Sequence, residues 1–278
     1  MGITFGAKTD VGLKREANED SYGIEEDLGL FLVADGMGGH AAGEIASRMA
    51  VNIIRENLAK SLHNRGAIMG KYKSEFSLAA NQLASSIRLA NRAVYEAAKD
   101  KPEYSGMGTT IVGILTQGRT VVFANVGDSR IYRIRNFDIE QISEDHSLVM
   151  EQIRRGIITK EEAKRSRFKN IITRALGIAE NVQITLDEQP IFPGDYLLLC
   201  CDGLHTLVDD HEMLEIVLTC KGDLDSACHR MVHLANERGG HDNITVVLVC
   251  LQSDWVDKIG LSWLKRFFRA NLRGKRHL

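Results

Sequence analysis

Eight short runs rich in valine, isoleucine and leucine restrict the folding of this chain more than any other feature. They occupy residues 3–8, 30–34, 110–116, 120–125, 130–135, 182–189, 196–201 and 244–251, and their turn-bounded, β-branched character predicts strands. Joins such as Thr116-Gln117-Gly118-Arg119 and Gly127-Asp128-Ser129 are only a few residues long. A parallel pair needs a crossover of a dozen residues or more, so these neighbours pair antiparallel. Long helical patterns at 42–58 and 77–99 interrupt the strands, and two more follow Asp209 and Asp223. Asp209 with Glu212, and Thr159 with Glu162, have the spacing of capping boxes. Residues 61–75 read as an exposed connection, and 145–174 as a mostly helical excursion. Two antiparallel sheets face to face, with helices over both outer faces, bury every apolar face. The expected class is therefore α+β, a central antiparallel β-sandwich in an α-β-β-α arrangement.

Composition narrows the possibilities. With 278 residues, 44% hydrophobic and 26% charged, the chain is neither disordered nor too small to build a core without staples. Its net charge is −2, so no basic excess points to nucleic acid. The charge is unevenly spread: residues 254–278 carry seven Lys or Arg and two Asp, or +5, against −7 for the rest. Cys200, Cys201, Cys220, Cys228 and Cys250 include no CxxC pair, which argues against a disulfide framework or a zinc site. The N-terminus lacks a signal-peptide pattern, and no apolar run is long enough to span a membrane. A reducing cytoplasm is the expected compartment.

Acidic residues recur where apolar runs enter or leave the core. Residues 30–34 run into Asp35-Gly36, 121–127 into Asp128, and 196–201 into Asp202-Gly203, while Asp242-Asn243 opens 244–249. Glu19-Asp20 precedes another short strand-like stretch at 22–26. Each alone is explained by turn chemistry. As a set they are harder to dismiss: strand ends gather at the two rims of a sandwich, and several carboxylates converging on one spot would repel unless a cation neutralised them. Oxygen donors select Mg²⁺ or Mn²⁺ over zinc or copper. The charges of Asp20, Asp35, Asp202 and Asp242 match two divalent ions, which can activate water for an in-line displacement. Arg15, five residues before Asp20, offers the paired donors that fit phosphate oxygens. The combination points to hydrolysis of a phosphate ester.

These residues fall in an ordered series of motifs. They are Thr9-Asp10-Val11-Gly12 with Arg15 and Asn18-Glu19-Asp20-Ser21; Val33-Ala34-Asp35-Gly36-Met37-Gly38-Gly39-His40; Gly106-Met107-Gly108-Thr109-Thr110; and Ala124-Asn125-Val126-Gly127-Asp128-Ser129-Arg130. Asp145-His146-Ser147, Ile172-Thr173-Arg174-Ala175-Leu176-Gly177, Asp202-Gly203-Leu204 and Gly239-Gly240-His241-Asp242-Asn243 follow. In this series the chain resembles the bacterial branch of the metal-dependent serine/threonine protein phosphatases, type 2C. The resemblance implies a dimetal site at one rim of the sandwich, with two Mg²⁺ or Mn²⁺ ions bridged by Asp35 and one ligated by the Gly36 carbonyl. It implies that Asp202 and Asp242 hold one ion and that Glu19 and Asp20 act on the other, partly through water. Asp128 would help Asp202 bind a weaker third ion, and Arg15 would bind the substrate phosphate. The implied reaction is hydrolysis of phosphoserine and phosphothreonine in proteins, without a phospho-enzyme, opposing a Ser/Thr kinase. A silent, phosphoprotein-binding relative is the rival, disfavoured because every acidic position and Arg15 is present. Met37 stands where some relatives carry a histidine proposed as general acid, and His40 has no assigned role.

The expected organisation is a catalytic domain at 1–253, with a variable flap at about 145–174, and a tail at 254–278. The flap string Ser166-Arg167-Phe168-Lys169-Asn170 is basic and suits either a solvated helix end or contact with an acidic or phosphorylated substrate. In the tail, Ile259, Leu261, Trp263, Leu264, Phe267, Phe268 and Leu272 fall on one arc of a helix and most basic residues on the other. Two readings stand: a membrane-surface or partner-binding helix, peripheral at the inner membrane face, or a helix docked on the body or in a dimer.

Overall fold

The computed structural model describes residues 2–38, 42–64, 68–168 and 170–252. In chain order the elements are β1 (Ile3–Asp10), β2 (Asp20–Glu25), β3 (Leu30–Met37), α1 (Ala42–Asn64) and α2 (Leu78–Asp100). Then come β4 (Gly108–Thr109), β5 (Ile111–Gln117), β6 (Thr120–Val126), β7 (Arg130–Arg135) and β8 (Asp138–Gln141). The flap follows as α3 (Leu148–Arg154) and α4 (Lys160–Arg165), then β9 (Thr185–Pro190), β10 (Tyr196–Cys200) and α5 (Asp202–His205). The described part ends with α6 (Asp210–Thr219), α7 (Leu224–Glu237) and β11 (Ile244–Leu251).

One sheet runs β1-β11-β10-β7-β8 and the other β2-β3-β5-β6-β9, with β4 pairing β3. Every pairing is antiparallel. Successive side chains on a strand point to opposite faces, and this alternation sorts the core into three layers. Phe31 and Val33 of β3 meet Leu197 and Leu199 of β10 and Val247 and Val249 of β11 between the sheets. Leu30, Leu32 and Ala34 face outward onto α1 and α2. Leu198, Cys200, Val246 and Leu248 face outward onto α6 and α7. The expected α-β-β-α sandwich is therefore the observed one.

Helix ends follow local chemistry. Ser77 caps α2 by accepting from Ala80 N–H, and both expected capping boxes form, at Thr159/Glu162 and Asp209/Glu212. Residues 70–72 and 74–75 are exposed as expected, whereas 61–64 depart from the expected connection. Helix α1 continues through them to Asn64: Ser61 is buried, and its carbonyl accepts from Gln82 Nε2 of α2 at 2.8 Å. All five cysteines are free; Cys200, Cys201 and Cys228 are buried, and Cys220 and Cys250 half-buried. The tail lies outside the described residues.

Candidate metal centre

The same alternation that builds the core delivers acids to its end. On β3 the inward series Phe31, Val33 continues to Asp35, and on β2 Asp20 shares its strand face with Ile24, which packs against the same layer. Strands β2 and β3 place Asp20 directly opposite Asp35. On the other sheet, Leu197 and Leu199 are followed inward by Cys201, and Val249 and Val247 by Thr245. Asp20, Asp35 and Cys201 thereby bring donor atoms within 4.8 Å of one another. Asp202 opens α5 directly after β10, and Asp242 immediately precedes β11.

Backbone ties hold this rim in register. Asp35 N–H donates to Thr110 Oγ1 at 3.0 Å, and the Asp35 carbonyl accepts from Thr109 Oγ1 at 2.9 Å and Thr110 N–H at 2.8 Å. Asn243 gathers the loop between β1 and β2: its Nδ2 donates to the Val11 and Ala17 carbonyls, and its Oδ1 accepts from Glu19 N–H at 2.8 Å. Gly36 has backbone on both sides, the carbonyls of Gly43 and Glu19, where no Cβ fits. Gly43, in the first turn of α1, lies against the Glu19 carboxylate, which a Cβ there would displace.

Crowded carboxylates without a counter-ion hold their protons. Burial, then the charges of Asp202 and Asp242, raises Asp20 to about 7, partly offset by the neighbouring Thr245 hydroxyl and Cys201 thiol, whose own hydrogen bonds run to Thr9 and to the Asn243 carbonyl. Burial and then the charges of Asp20, Asp202, Asp128 and Asp242 push Asp35 well up. Asp202 is raised by burial and by Asp242. Asp128 is raised to about 7 by burial and then Asp202. Glu19 is raised mainly by burial. Two observations fit divalent cations: these carboxylates perturb one another, and both oxygens of buried Asp20 have no hydrogen-bond partner. An uncompensated buried charge costs several kcal/mol, and oxygen donors of this kind suit hard ions.

The sequence-derived set thus assembles: Asp20, Asp35, Asp128, Asp202 and Asp242 share one rim, with Glu19 beside Gly43. Arg15 lies there too, its Nη2 donating to Asp242 Oδ2 at 2.7 Å, with both side chains partly solvent-exposed. His40 lies outside the described residues. Sequence reasoning missed Asn243 as organiser of the Arg15 loop and Cys201 as a neighbour of the acids. The strand parity of 197, 199 and 201 carried that second signal.

The flap is rooted at this rim. Arg130 pairs with buried Asp145 at 2.8 Å. His146 accepts from Gly127 N–H at Nδ1, and its backbone N–H donates to the Gly127 carbonyl, next to Asp128. Burial, then Arg174 and Arg154, lowers His146 to about 4, so it stays neutral in this acceptor role. His205 Nε2 donates to the Asp128 carbonyl at 3.1 Å. Farther out, Glu151, Arg154, Arg155 and Arg174 line a flap cleft of about 200 Å³.

Known proteins share this architecture and sequence. The family model for protein phosphatase 2C matches residues 14–249. The serine/threonine phosphatase stp of Listeria monocytogenes is 40% identical over 245 residues, covering 87% of this chain and 93% of the relative. Protein phosphatase PhpP of Streptococcus pneumoniae is 35% identical over 249 residues, 88% of this chain and 96% of the relative. Among solved structures, the S. agalactiae serine/threonine phosphatase superposes with a TM-score of 0.79 at 37% identity, covering 90% of this chain and 100% of its own. The PstP catalytic domain solved with two manganese ions superposes with a TM-score of 0.76 at 33% identity, covering 91% and 99%. With the family model spanning most of its length, this chain belongs to the protein phosphatase 2C family.

Proposed function

We propose that this chain is a Mg²⁺- or Mn²⁺-dependent phosphatase that hydrolyses phosphoserine and phosphothreonine in proteins. The observation that carries it is the rim itself, where carboxylates that raise one another's proton affinity surround an Asp20 whose buried oxygens have no hydrogen-bond partner. Asp35 would be shared by two ions and the Gly36 carbonyl would ligate one; Asp202 and Asp242 would hold one ion, and Glu19 and Asp20 would act on the other, partly through water. Asp128 with Asp202 would hold a weaker third. Two bound divalent ions supply Lewis acidity and a water nucleophile at neutral pH.

The chain's own residues do the rest. Arg15, exposed at the mouth, presents its guanidinium to the phosphoryl oxygens, and Asp242 orients it from behind. Thr109 and Thr110 fix the Asp35 backbone, so its carboxylate needs little rearrangement when substrate arrives. The flap's arginine-lined cleft suits phosphorylated or acidic segments of a protein substrate. The test is turnover of p-nitrophenyl phosphate with Mn²⁺. Asp35→Asn is expected to lose most activity while its circular dichroism stays native. Near-normal turnover in that variant would falsify the bridging role.

Residues 1–253 form the catalytic unit in this reading, working in the cytoplasm against a Ser/Thr kinase. Residues 254–278 attach it to an anionic membrane surface or a protein partner; the basic, aromatic arc of that segment supports this. No helix among the described residues is long and apolar enough to cross a membrane. Sedimentation with anionic liposomes should fall when the chain ends at Ser253, and equal sedimentation of both forms removes the membrane reading.

A further inference from the structure

We propose that Asp20, Asp35 and Cys201 form a sulfur-containing cation subsite that takes a thiophilic divalent ion of the Zn²⁺ class, in competition with the hard ions of the rim. The proposal rests on the metal-centre reading above and extends it to a donor which that reading leaves out.

The three donor atoms lie within 4.8 Å of one another. Asp20 is only 7% exposed, and neither of its oxygens has a hydrogen-bond partner. Cys201 is fully buried and turned inward by strand parity, whereas its neighbour Cys200 packs outward against the helices. Cys201 Sγ accepts from Thr245 N–H at 3.0 Å and donates to the Asn243 carbonyl at 3.3 Å. Only the second bond depends on the thiol proton. On ligation the S–H bond breaks, its proton and any proton held by Asp20 and Asp35 leave to solvent, metal–sulfur and metal–oxygen bonds form, and the N–H···S bond persists on the thiolate. The Asn243 carbonyl alone loses a partner.

Mg²⁺ and Mn²⁺ prefer oxygen and leave such a sulfur unused, while Zn²⁺ binds thiolate and carboxylate together. With Zn–S near 2.3 Å and Zn–O near 2.0–2.2 Å, tetrahedral donors sit about 3.5 Å apart. The cluster therefore reaches that geometry by closing at most about 1.3 Å. Asp35 serves both sets of ligands, so a thiophilic ion seated here withdraws it from the hard-ion pair. Zinc binding and Mn²⁺-supported turnover are then mutually exclusive.

Co²⁺ is the spectroscopic probe, added to the reduced, metal-free full chain. A near-ultraviolet thiolate-to-cobalt charge-transfer band is expected in the wild type and in Cys220→Ser, lost in Cys201→Ser, and erased by added Zn²⁺. Persistence of the band in folded Cys201→Ser overturns the proposal. So does its absence from wild type at Co²⁺ concentrations where calorimetry shows binding. If Cys201→Ser fails to fold, zinc X-ray absorption on Cys220→Ser decides: a sulfur shell near 2.3 Å supports the site, and oxygen and nitrogen alone refute it. The band does not require turnover. Failure of the phosphatase reading shows as no Mn²⁺-dependent hydrolysis, and failure of this one as hydrolysis without the band.

Discussion

Replacing Asp20 by asparagine should stabilise the metal-free protein at alkaline pH while weakening its function. In the folded state Asp20 is raised from 3.8 to about 7, first by burial and then by neighbouring charges. Below 3.8 the carboxyl is protonated whether the chain is folded or unfolded and costs nothing. Between 3.8 and about 7 the unfolded chain releases a proton that the folded one keeps, so stability falls as pH rises and levels off above 7. From pH 5 upward that covers two units, at about 1.4 kcal/mol each, or about 2.7 kcal/mol. The amide of Asp20→Asn has nothing to titrate, and any constant packing difference cancels when two pH values are compared. The stability of Asp20→Asn relative to wild type should therefore rise by about 2.7 kcal/mol between pH 5 and pH 8, roughly 5–10 °C in Tm for a domain of this size. Asp35 titrates jointly with Asp20, and relieving its repulsion adds in the same direction. The assay is thermal unfolding in chelator at both pH values. Saturating Mn²⁺ should abolish the wild-type loss, because a divalent charge replaces the proton. A stability difference that is the same at pH 5 and pH 8 refutes the reasoning.

Arg15→Ala removes charge-assisted donors to phosphate, worth about 1.5–3 kcal/mol; kcat/KM on a phosphopeptide should fall roughly 10- to 100-fold. Its exposed pair with Asp242 contributes little to stability, so Tm should barely move. Arg15→Lys should rescue only partly, having no planar fork. Asp145→Ala leaves Arg130 without its partner at the flap root; urea unfolding should show a loss of about 3 kcal/mol, the low end for a buried pair, since Arg130 is partly solvated.

Much of the frame is legible in the chain. Strands at 130–135 and 244–251 fall where their patterns place them, because hydrophobic alternation and turn residues act locally. Strands β4 and β8 escape notice: one is two residues long, and the other, Asp138-Ile139-Glu140-Gln141, is mostly polar and held by β7 alone. The end of α1 escapes too, since contact with α2, not local propensity, carries it to Asn64.

The site divides in the same way. Asp35, Asp128, Asp202 and Asp242 stand at the ends of apolar runs, which marks them as rim residues from sequence alone. That five separate segments deliver their acids to one rim depends on strand order and register, long-range pairings whose closure entropy no local pattern encodes. Only the tertiary structure sets Asn243 behind the Arg15 loop, turns Cys201 toward Asp20, and leaves the Asp20 oxygens without a donor. Those are properties of a shared volume at the end of two sheets, where the electrostatic cost of each charge is fixed by neighbours distant along the chain.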